Sequence, residues 1–548
     1  MRKKRILFCG EATYLNTGYA TYLRETMKIL HATQKYELAE FASYGKDDDP
    51  RSADIPWKFY GNLPTDESQR EAYDEVPTNQ FGEWKFESVL LDFLPDIVCD
   101  IRDFWMLEHQ ERSAYRPYFN WVIMPTVDAS PQNEQWLSTF INADAVFNYS
   151  QWGYEVLEKE SKGKIKCLGS APPSADSAYQ PVEDKDQHKI DMGFSPSTKF
   201  IGSIMRNQRR KLFPDLFEAY KKFLETSGRD DVYLYCHTSY PDLGWDIPKL
   251  LNKYKIASKT LFTYSCNSCH NSFPAFFSDA RRKCKICGHA YQTAGLANVH
   301  NGASYEYLAS IMNMFDLYIQ YANSEGFGLP QVEAAACGVP VMSIDYSAMS
   351  SVVRNLGGTP LKIKALYNEV ETGCDRAVPD NDYTAQKMTD FFDMSKQETE
   401  TLSKNTRLNF EKYYQWEKTA KKWETYFDSV EIKPFQQTWG SPPRLHQPDQ
   451  PYPQDEDDIC WSDYAAWLIT NVLGEPEKLN TYFESRLIRD LNYGMYINGT
   501  GELYLNEDSQ KFVKPVYELF GKDEAYNMMV RLCNRRNEWE EIRKKLIK

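Results

Sequence analysis

The stretch from Phe315 to Ile344 leaves this chain few ways to fold. Phe315–Tyr321 and Val339–Ile344 are apolar runs of strand length. Between them lie the turn Ser324-Glu325-Gly326-Phe327-Gly328-Leu329-Pro330 and the small-residue segment Gln331-Val332-Glu333-Ala334-Ala335-Ala336-Cys337-Gly338. Strand, glycine-rich loop, short helix and strand make one βαβ unit, with the loop at the carboxyl edge of a parallel sheet. The helix begins just after the glycines, so its first backbone N–H groups lack intrahelical partners and suit a diphosphate. Glu325 and Glu333, with seven residues between them, fall at the loop mouth and about two turns further on. Both can accept hydrogen bonds from sugar hydroxyls, and neither is placed to hold a metal. The competing reading is a crossover whose glycines serve packing alone.

At 548 residues the chain exceeds what one core organises, and three folded units are expected. Its 42% hydrophobic and 26% charged residues are those of a globular protein, and the 14% aromatic content is assigned mainly to cores. A formal charge of −14 argues against a simple nucleic-acid coat, though not against a local basic groove. No apolar run approaches the roughly 20 residues that span a bilayer. After the basic head Met1-Arg2-Lys3-Lys4-Arg5, the run Ile6–Gly10 is too short for a signal peptide and reads as a first buried strand. The expectation is therefore a cytoplasmic protein. Twelve cysteines there do not read as a disulfide framework; Cys9, Cys99, Cys236 and Cys337 sit in apolar or small-residue settings as buried thiols.

Strand and helix patterns alternate along the chain. Strands are expected at Ile6–Cys9, Ile97–Cys99, Trp121–Met124 and Ala145–Asn148, with helices at Tyr19–Leu30, Trp84–Phe93 and Gln132–Phe140. The pattern restarts near Ser195 with strand Phe200–Ile204, helix Phe213–Thr226 and strand Val232–His237, and Ala385–Phe427 is helical. Alternation of this kind predicts α/β architecture, a parallel sheet covered on both faces. The Pro-rich, acidic stretch around Pro442, Pro443, Pro448, Pro451, Pro453 and Asp455–Asp458 reads as a linker. Helical patterns at Ala465–Leu473 and Glu524–Leu532 suggest a small, mainly helical appendage.

The glutamate pair, the Gly-Phe-Gly-Leu-Pro turn, the Glu-Ala-Ala-Ala-Cys-Gly helix and the Val-Pro-Val strand resemble the paired-glutamate motif of retaining, GT-B-fold nucleotide-sugar glycosyltransferases of family 4. That resemblance implies two Rossmann-like domains facing a cleft. Residues 1–194 would be the acceptor domain, 195–411 the nucleotide-sugar domain, 412–435 a helix returning to the first domain, 436–459 the linker and 460–548 the appendage. Trp416, Ala420, Trp423 and Phe427 give the returning helix one apolar face. Within Ile201–Lys211, the spacing of Arg206 and Lys211 is similar to the family's arginine–lysine pair, which stabilises charge on a departing β-phosphate. Arg209 and Arg210 are left as supporting or solvated cations. Gly18, ahead of the first long helix, occupies the place of the family's first glycine-rich loop.

The resemblance assigns Glu325 to the donor sugar's hydroxyls, Glu333 to the ribose, and the amides of Gly326, Phe327, Gly328 and Leu329 to the phosphates, in a transfer that needs no metal. Where the family often carries a histidine, this chain has Pro125-Thr126-Val127-Asp128. Asp128 is either an acceptor-orienting group or, by slight preference, the N-cap of the next helix. Arg102 and Asp103 are further cleft-facing candidates. Asp47-Asp48-Asp49 is not read as a metal motif.

Cys266-Asn267-Ser268-Cys269 and Cys284-Lys285-Ile286-Cys287 form two CxxC hooks fourteen residues apart, an all-cysteine set expected to hold a structural zinc in an insert over 264–291. His270 and His289 are expected to be bystanders. Arg281, Arg282, Lys283 and Lys285 beside Phe273, Phe276 and Phe277 suit nucleic-acid contact, or simply rim a folding staple.

The chain further resembles glycosyltransferases of large tailed phages, which implies a hydroxymethylated pyrimidine in DNA as acceptor. A cell-surface polysaccharide or glycoprotein is the alternative acceptor. A nucleic-acid-binding scaffold that keeps the shell without turnover is the alternative class.

Overall fold

The computed structural model describes residues 2–113, 115–266, 268–277, 284, 287, 288, 302–434, 438–440, 460–480, 482, 483, 487, 495–497, 502–505 and 507–546. Two seven-stranded sheets dominate it. The first contains β1 (Arg5–Glu11), β2 (Glu37–Lys46), β3 (Lys58–Leu63), β4 (Ile97–Asp100), β5 (Asn120–Ile123), β6 (Ala145–Asn148) and β7 (Cys167–Ser170). They lie in the order β3-β2-β1-β4-β5-β6-β7, all parallel. The second contains β8 (Lys199–Ile204), β9 (Val232–His237), β10 (Thr260–Ser265), β11 (Ser272–Phe276), β12 (Leu317–Gln320), β13 (Val341–Ile344) and β14 (Thr359–Leu361). Their order is β11-β10-β9-β8-β12-β13-β14, parallel except for β11 at the edge.

Each sheet reverses direction of growth once, between β1 and β4 and between β8 and β12, and such a point opens a crevice at the strands' carboxyl ends. The site loops all leave from these ends. The inner strands are buried on both faces, which is why they read as unbroken apolar runs. β2 escaped that pattern because it carries Glu40, a wholly buried carboxylate that accepts from Thr13 N (2.7 Å), Thr13 Oγ1 (2.8 Å) and Trp57 Nε1 (2.8 Å). Those bonds pin the loop after β1 to the sheet.

The helix Trp416–Ser429 lies against the helix Gly18–Ala32. Trp423 Nε1 donates to the Tyr22 hydroxyl at 2.9 Å, and its fully buried ring packs on Phe8 and Phe147. Trp416 Nε1 donates to the Ala175 carbonyl at 3.1 Å. Trp439, expected in the linker, is buried instead: its Nε1 donates to the Pro95 carbonyl at 2.8 Å and its ring packs on Tyr115 and Tyr118. An aromatic with a polar handle anchors the chain there, so any free linker starts beyond Gly440. The prolines from Pro442 to Pro453 and the run Asp455–Asp458 lie outside the described residues.

After β14 comes a separate hairpin of β15 (Ile363–Asn368) and β16 (Asp375–Pro379). The tail contributes a helix Trp461–Leu468, a wide π-helical turn Ile469–Leu473, a small hairpin of β17 (Met495–Ile497) and β18 (Leu503–Leu505), and a long helix Glu507–Leu546 broken at Gly521. Leu468, Phe483, Val513, Val516 and Met528 form a core of its own. Among the described residues no helix is long and apolar enough to cross a membrane.

Candidate active site

Segments leaving β8 and β12 run side by side in opposite directions. Leu212 N donates to the Tyr321 carbonyl (3.1 Å), Asn323 N to the Arg210 carbonyl (2.9 Å), and Lys211 bridges to Ala322. This pairing sets two cations over Glu325. Arg210 Nη1 lies 2.7 Å from Glu325 Oε2, while Lys211 Nζ contacts Oε1, which also accepts from Gln320 Nε2 at 3.0 Å. The Glu325 amide donates to Ser347 Oγ at 2.9 Å, fixing the loop's entry. Two cations share one carboxylate here, with Asp128 and Asp103 also within their electrostatic range. Burial, and then the charge of Arg210, push Lys211 well below the ordinary ammonium range, with the charge of Asp128 working the other way.

Sequence spacing pairs Arg206 with Lys211, but the structure separates them. Arg206 is half exposed at the rim and bound bidentately to Asp242, at 3.0 and 3.2 Å, in the loop after β9. Arg210, left as a supporting or solvated cation in the sequence reading, is the arginine that touches Glu325. The local signal was ambiguous because four cations crowd into Arg206–Lys211, and only the antiparallel exit chooses among them.

The glycines of the loop have spatial reasons. A side chain at Gly326 would place its Cβ 2.3 Å from Thr126 Cγ2, so the loop passes directly against the first domain. Gly328 has φ +82° and caps the helix Leu329–Ala336, a conformation that favours glycine. Phe327 packs edge-on against Tyr414, and Leu329 opens the helix. One and a half turns along, Glu333 is buried, and burial pushes its carboxyl up to about 8, with Asp176 adding and the Tyr179 hydroxyl opposing. Across the cleft, Gly18 opens the helix Gly18–Ala32, whose N-cap Thr17 accepts from Ala20 N; a Cβ at Gly18 would meet open space.

The first domain's wall is acidic. Asp128 does not cap the following helix, Glu134–Asn142, whose N-cap is Asn133. It faces the second domain instead: Arg376 Nη1 donates to its Oδ2 at 2.9 Å and Ser324 Oγ at 3.1 Å, and Arg376 is also held by Glu369 at 2.7 Å. Asp128 is thus one half of a clasp between the β16 arginine and the wall. Arg102 is not cleft-facing. It is fully buried in a two-pronged pair with Asp100 and also donates to Ser43 Oγ and the Phe81 carbonyl. Asp103 accepts from the Tyr19 hydroxyl at 2.8 Å and lies in electrostatic range of Asp128 and Arg210. Asp49 caps the short helix Pro50–Asp54 and pairs with Arg51.

At the edge of the second sheet, the β10–β11 hairpin carries Cys266 and Cys269 at its tip. Cys266 and Cys287 sulfurs are 3.6 Å apart, as are those of Cys269 and Cys284, and all four lie within 4.8 Å of one another. A tetrahedral ion with sulfurs about 2.3 Å away needs edges of this size, so the cluster is compatible with a structural metal. The hooks share a turn: His270 N donates to the Cys266 carbonyl and Gly288 N to that of Cys284, both at 2.8 Å, with positive φ at His270 and Gly288. Phe273 packs on Tyr264, Phe276 on Tyr233, and Phe277 on Phe262 and Tyr240, so these rings are not displayed for base stacking. Arg281, Arg282, Lys283, Lys285 and His289 lie outside the described residues.

Residues 283–367, which carry both glutamates, match the family model for glycosyl transferases group 1. No curated protein sequence matches the chain. Among solved structures, sucrose-phosphate synthase from Thermosynechococcus elongatus is similar at 15% identity and TM-score 0.55, covering 78% of this chain and 98% of its own. HepE from Anabaena, solved with UDP and glucose, is similar at 13% identity and TM-score 0.54, over 78% of this chain and all of its own. The Escherichia coli protein titled trehalose-6-phosphate, bound to UDP-2-fluoro glucose, is similar at 13% identity and TM-score 0.52 over the same shares. With its two parallel-sheet, Rossmann-like domains, this chain has the GT-B fold of these proteins.

Proposed function

We propose that this protein is a retaining glycosyltransferase that moves a sugar from a nucleotide-sugar donor to an acceptor hydroxyl. The observation that carries the reading is Glu325 gripped by Lys211 and Arg210 at the carboxyl edge of one sheet, facing the wall of the other. A donor diphosphate would take over the cations, freeing Glu325 for the sugar's hydroxyls. The anomeric C–O bond breaks with its electrons passing to the β-phosphate oxygen. The acceptor oxygen attacks the same face, and its proton passes to the departing phosphate. Lys211 and Arg210, with Arg206 swinging in from Asp242, stabilise the leaving charge, as do the amides at Gly326–Leu329. Gly18 would approach the donor from the first domain. UDP is the nucleotide to try first, since two of the similar structures were solved with UDP or a UDP-sugar.

We assign zinc to the four cysteines as a folding staple; four thiolates suit a reducing compartment such as the cytoplasm. For the acceptor, the inward-packed Phe273, Phe276 and Phe277 and the carboxylates of Asp103 and Asp128 favour a polysaccharide or glycoprotein hydroxyl over a hydroxymethylated pyrimidine of phage DNA. The deciding experiment supplies UDP-sugars with either hydroxymethylated duplex DNA or oligosaccharides and analyses the products by mass. A glycosylated nucleoside would reverse the acceptor preference. No nucleoside diphosphate release from any donor would favour a scaffold without turnover.

Glu333 makes donor binding pH-dependent. Burial pushes this carboxyl up to about 8, and the ionised form accepts a ribose hydroxyl's hydrogen bond more strongly than the neutral acid. Ionisation of Glu333 is expected to contribute roughly a tenfold gain in affinity for UDP between about pH 7 and 9, with proton release, read calorimetrically as the difference between wild type and Glu333→Gln, because loss of charge at Lys211, which burial holds low, works the other way in both proteins. In the unliganded protein the folded state binds this proton more tightly than the unfolded chain. Stability therefore falls as pH climbs from the ordinary glutamate range through about 8.

A further inference from the structure

We propose that Asp103, Tyr19 and Tyr149 form the acceptor subsite, that it takes an uncharged hydroxyl-bearing acceptor, and that Asp103 receives the hydrogen bond of the attacking hydroxyl. This rests on the glycosyl-transfer reading above and supplies the acceptor side that reading leaves open. Asp103 stands at the N-cap position of the helix Phe104–Glu111 but makes no capping bond. An aspartate there normally satisfies the helix's first amides, and its absence from that role is a local rule set aside. Its Oδ1 instead accepts from the Tyr19 hydroxyl at 2.8 Å, and that hydroxyl is 2.6 Å from Thr126 Oγ1. Thr126 is the residue against which Gly326 passes, so Asp103 is linked to the donor loop through Tyr19 and Thr126. Arg210, which holds Glu325, lies in electrostatic range of Asp103 and Tyr19.

Tyr149 supplies the independent sign of a ligand. It follows β6, is only 8% exposed, and its hydroxyl has no hydrogen-bond partner among the described residues. Its ring centroid is 6.3 Å from that of Tyr19, and it feels the charge of Asp103. A buried hydroxyl left unpaired is costly, and a ligand hydroxyl between Tyr149 and Asp103 would satisfy both. Charge sets the ligand class. Asp103 feels the charge of Asp128 as well as that of Arg210, and the two carboxylates raise the cost of bringing a phosphate or carboxylate against Asp103. Burial, with Asp128 adding, lifts Asp103 above the ordinary carboxylate range, while its bonds to Tyr19 and Thr126 and the charge of Arg210 oppose that and favour the accepting, ionised form. Asp128, engaged by Arg376 and Ser324, sets the spacing of the walls. During transfer the acceptor proton still ends on the departing phosphate, so Asp103 gains no net proton.

The test uses the full chain with the UDP-sugar it turns over fastest. Acceptors are uncharged methyl glycosides and the matching sugar 6-phosphates, with transfer and hydrolysis products counted by mass. Wild type is expected to glycosylate uncharged acceptors in preference to phosphates. Asp103→Asn should lower the ratio of transfer to hydrolysis at least tenfold, with partial return in Asp103→Glu. Tyr149→Phe, which removes only an unpaired hydroxyl, should raise the acceptor KM about fivefold, the weight of one hydrogen bond. Wild type that transfers while both variants behave alike to it would overturn the subsite alone. So would a preference for the 6-phosphates, or donor turnover with no uncharged acceptor used. Absence of donor turnover in wild type would remove the transfer reading together with this one.

Discussion

Lys211→Met should lower the rate of donor turnover by roughly 10²–10³-fold, the scale for losing one preorganised donor to a developing oxyanion. Lys211 is almost wholly buried and held between Glu325 and the backbone bridge to Ala322, so no neighbouring lysine can replace it. Methionine keeps most of the apolar stem and removes the charge. Some stability is lost too, because Glu325 then keeps only Arg210 and Gln320. The double variant Lys211→Met with Glu325→Gln separates the two effects: thermal stability should recover, because no buried charge is left short of a partner, while turnover stays low. Recovery of turnover in the double variant would mean that Lys211 acts only by balancing Glu325. Arg206→Ala should cost less than Arg210→Ala, since Arg206 starts at the exposed rim and must give up Asp242 before it can reach the diphosphate.

Replacing Cys266 and Cys284 together by serine should remove one equivalent of zinc per chain, measured by elemental analysis, and lower the thermal midpoint by about 5–10 °C. These are the two buried sulfurs of the cluster. They tie the otherwise distant second hook to the tip of the β10–β11 hairpin, at the sheet's edge. Without the metal, that edge is left, among the described residues, with the β10–β11 and β10–β9 ladders and the ring packing of Phe273, Phe276 and Phe277. New protease cleavage near the hairpin should accompany the loss. β9 leads into the loop carrying Asp242, so the rim that holds Arg206 should loosen as well. A variant that still binds zinc, or loses it without losing stability, would refute the staple.

The second sheet's heart was legible because its strands are buried on both faces and its helix is announced by glycines whose neighbours forbid a side chain. The four cysteines were legible for a similar reason: two short hooks need little from the rest of the fold to converge. What the sequence hid depended on long-range partners. β2 carries the buried Glu40, and no local pattern reveals Thr13 and Trp57 waiting for it. Arg210 could not be told from Arg206 without the pairing of the two exit strands. Asp128 looked like a cap because Asn133, five residues on, takes that role only once the turn is formed. Asp103 sits where a cap belongs and does something else, and only the position of Tyr19 makes that visible.

A structure of the protein with UDP bound tests the donor site most directly. The diphosphate oxygens should lie about 3 Å from Lys211 Nζ, with Glu325 turned away from the cations toward the space where a sugar would sit. UDP bound elsewhere, or Lys211 and Glu325 still locked together beside an occupied cleft, would contradict the account.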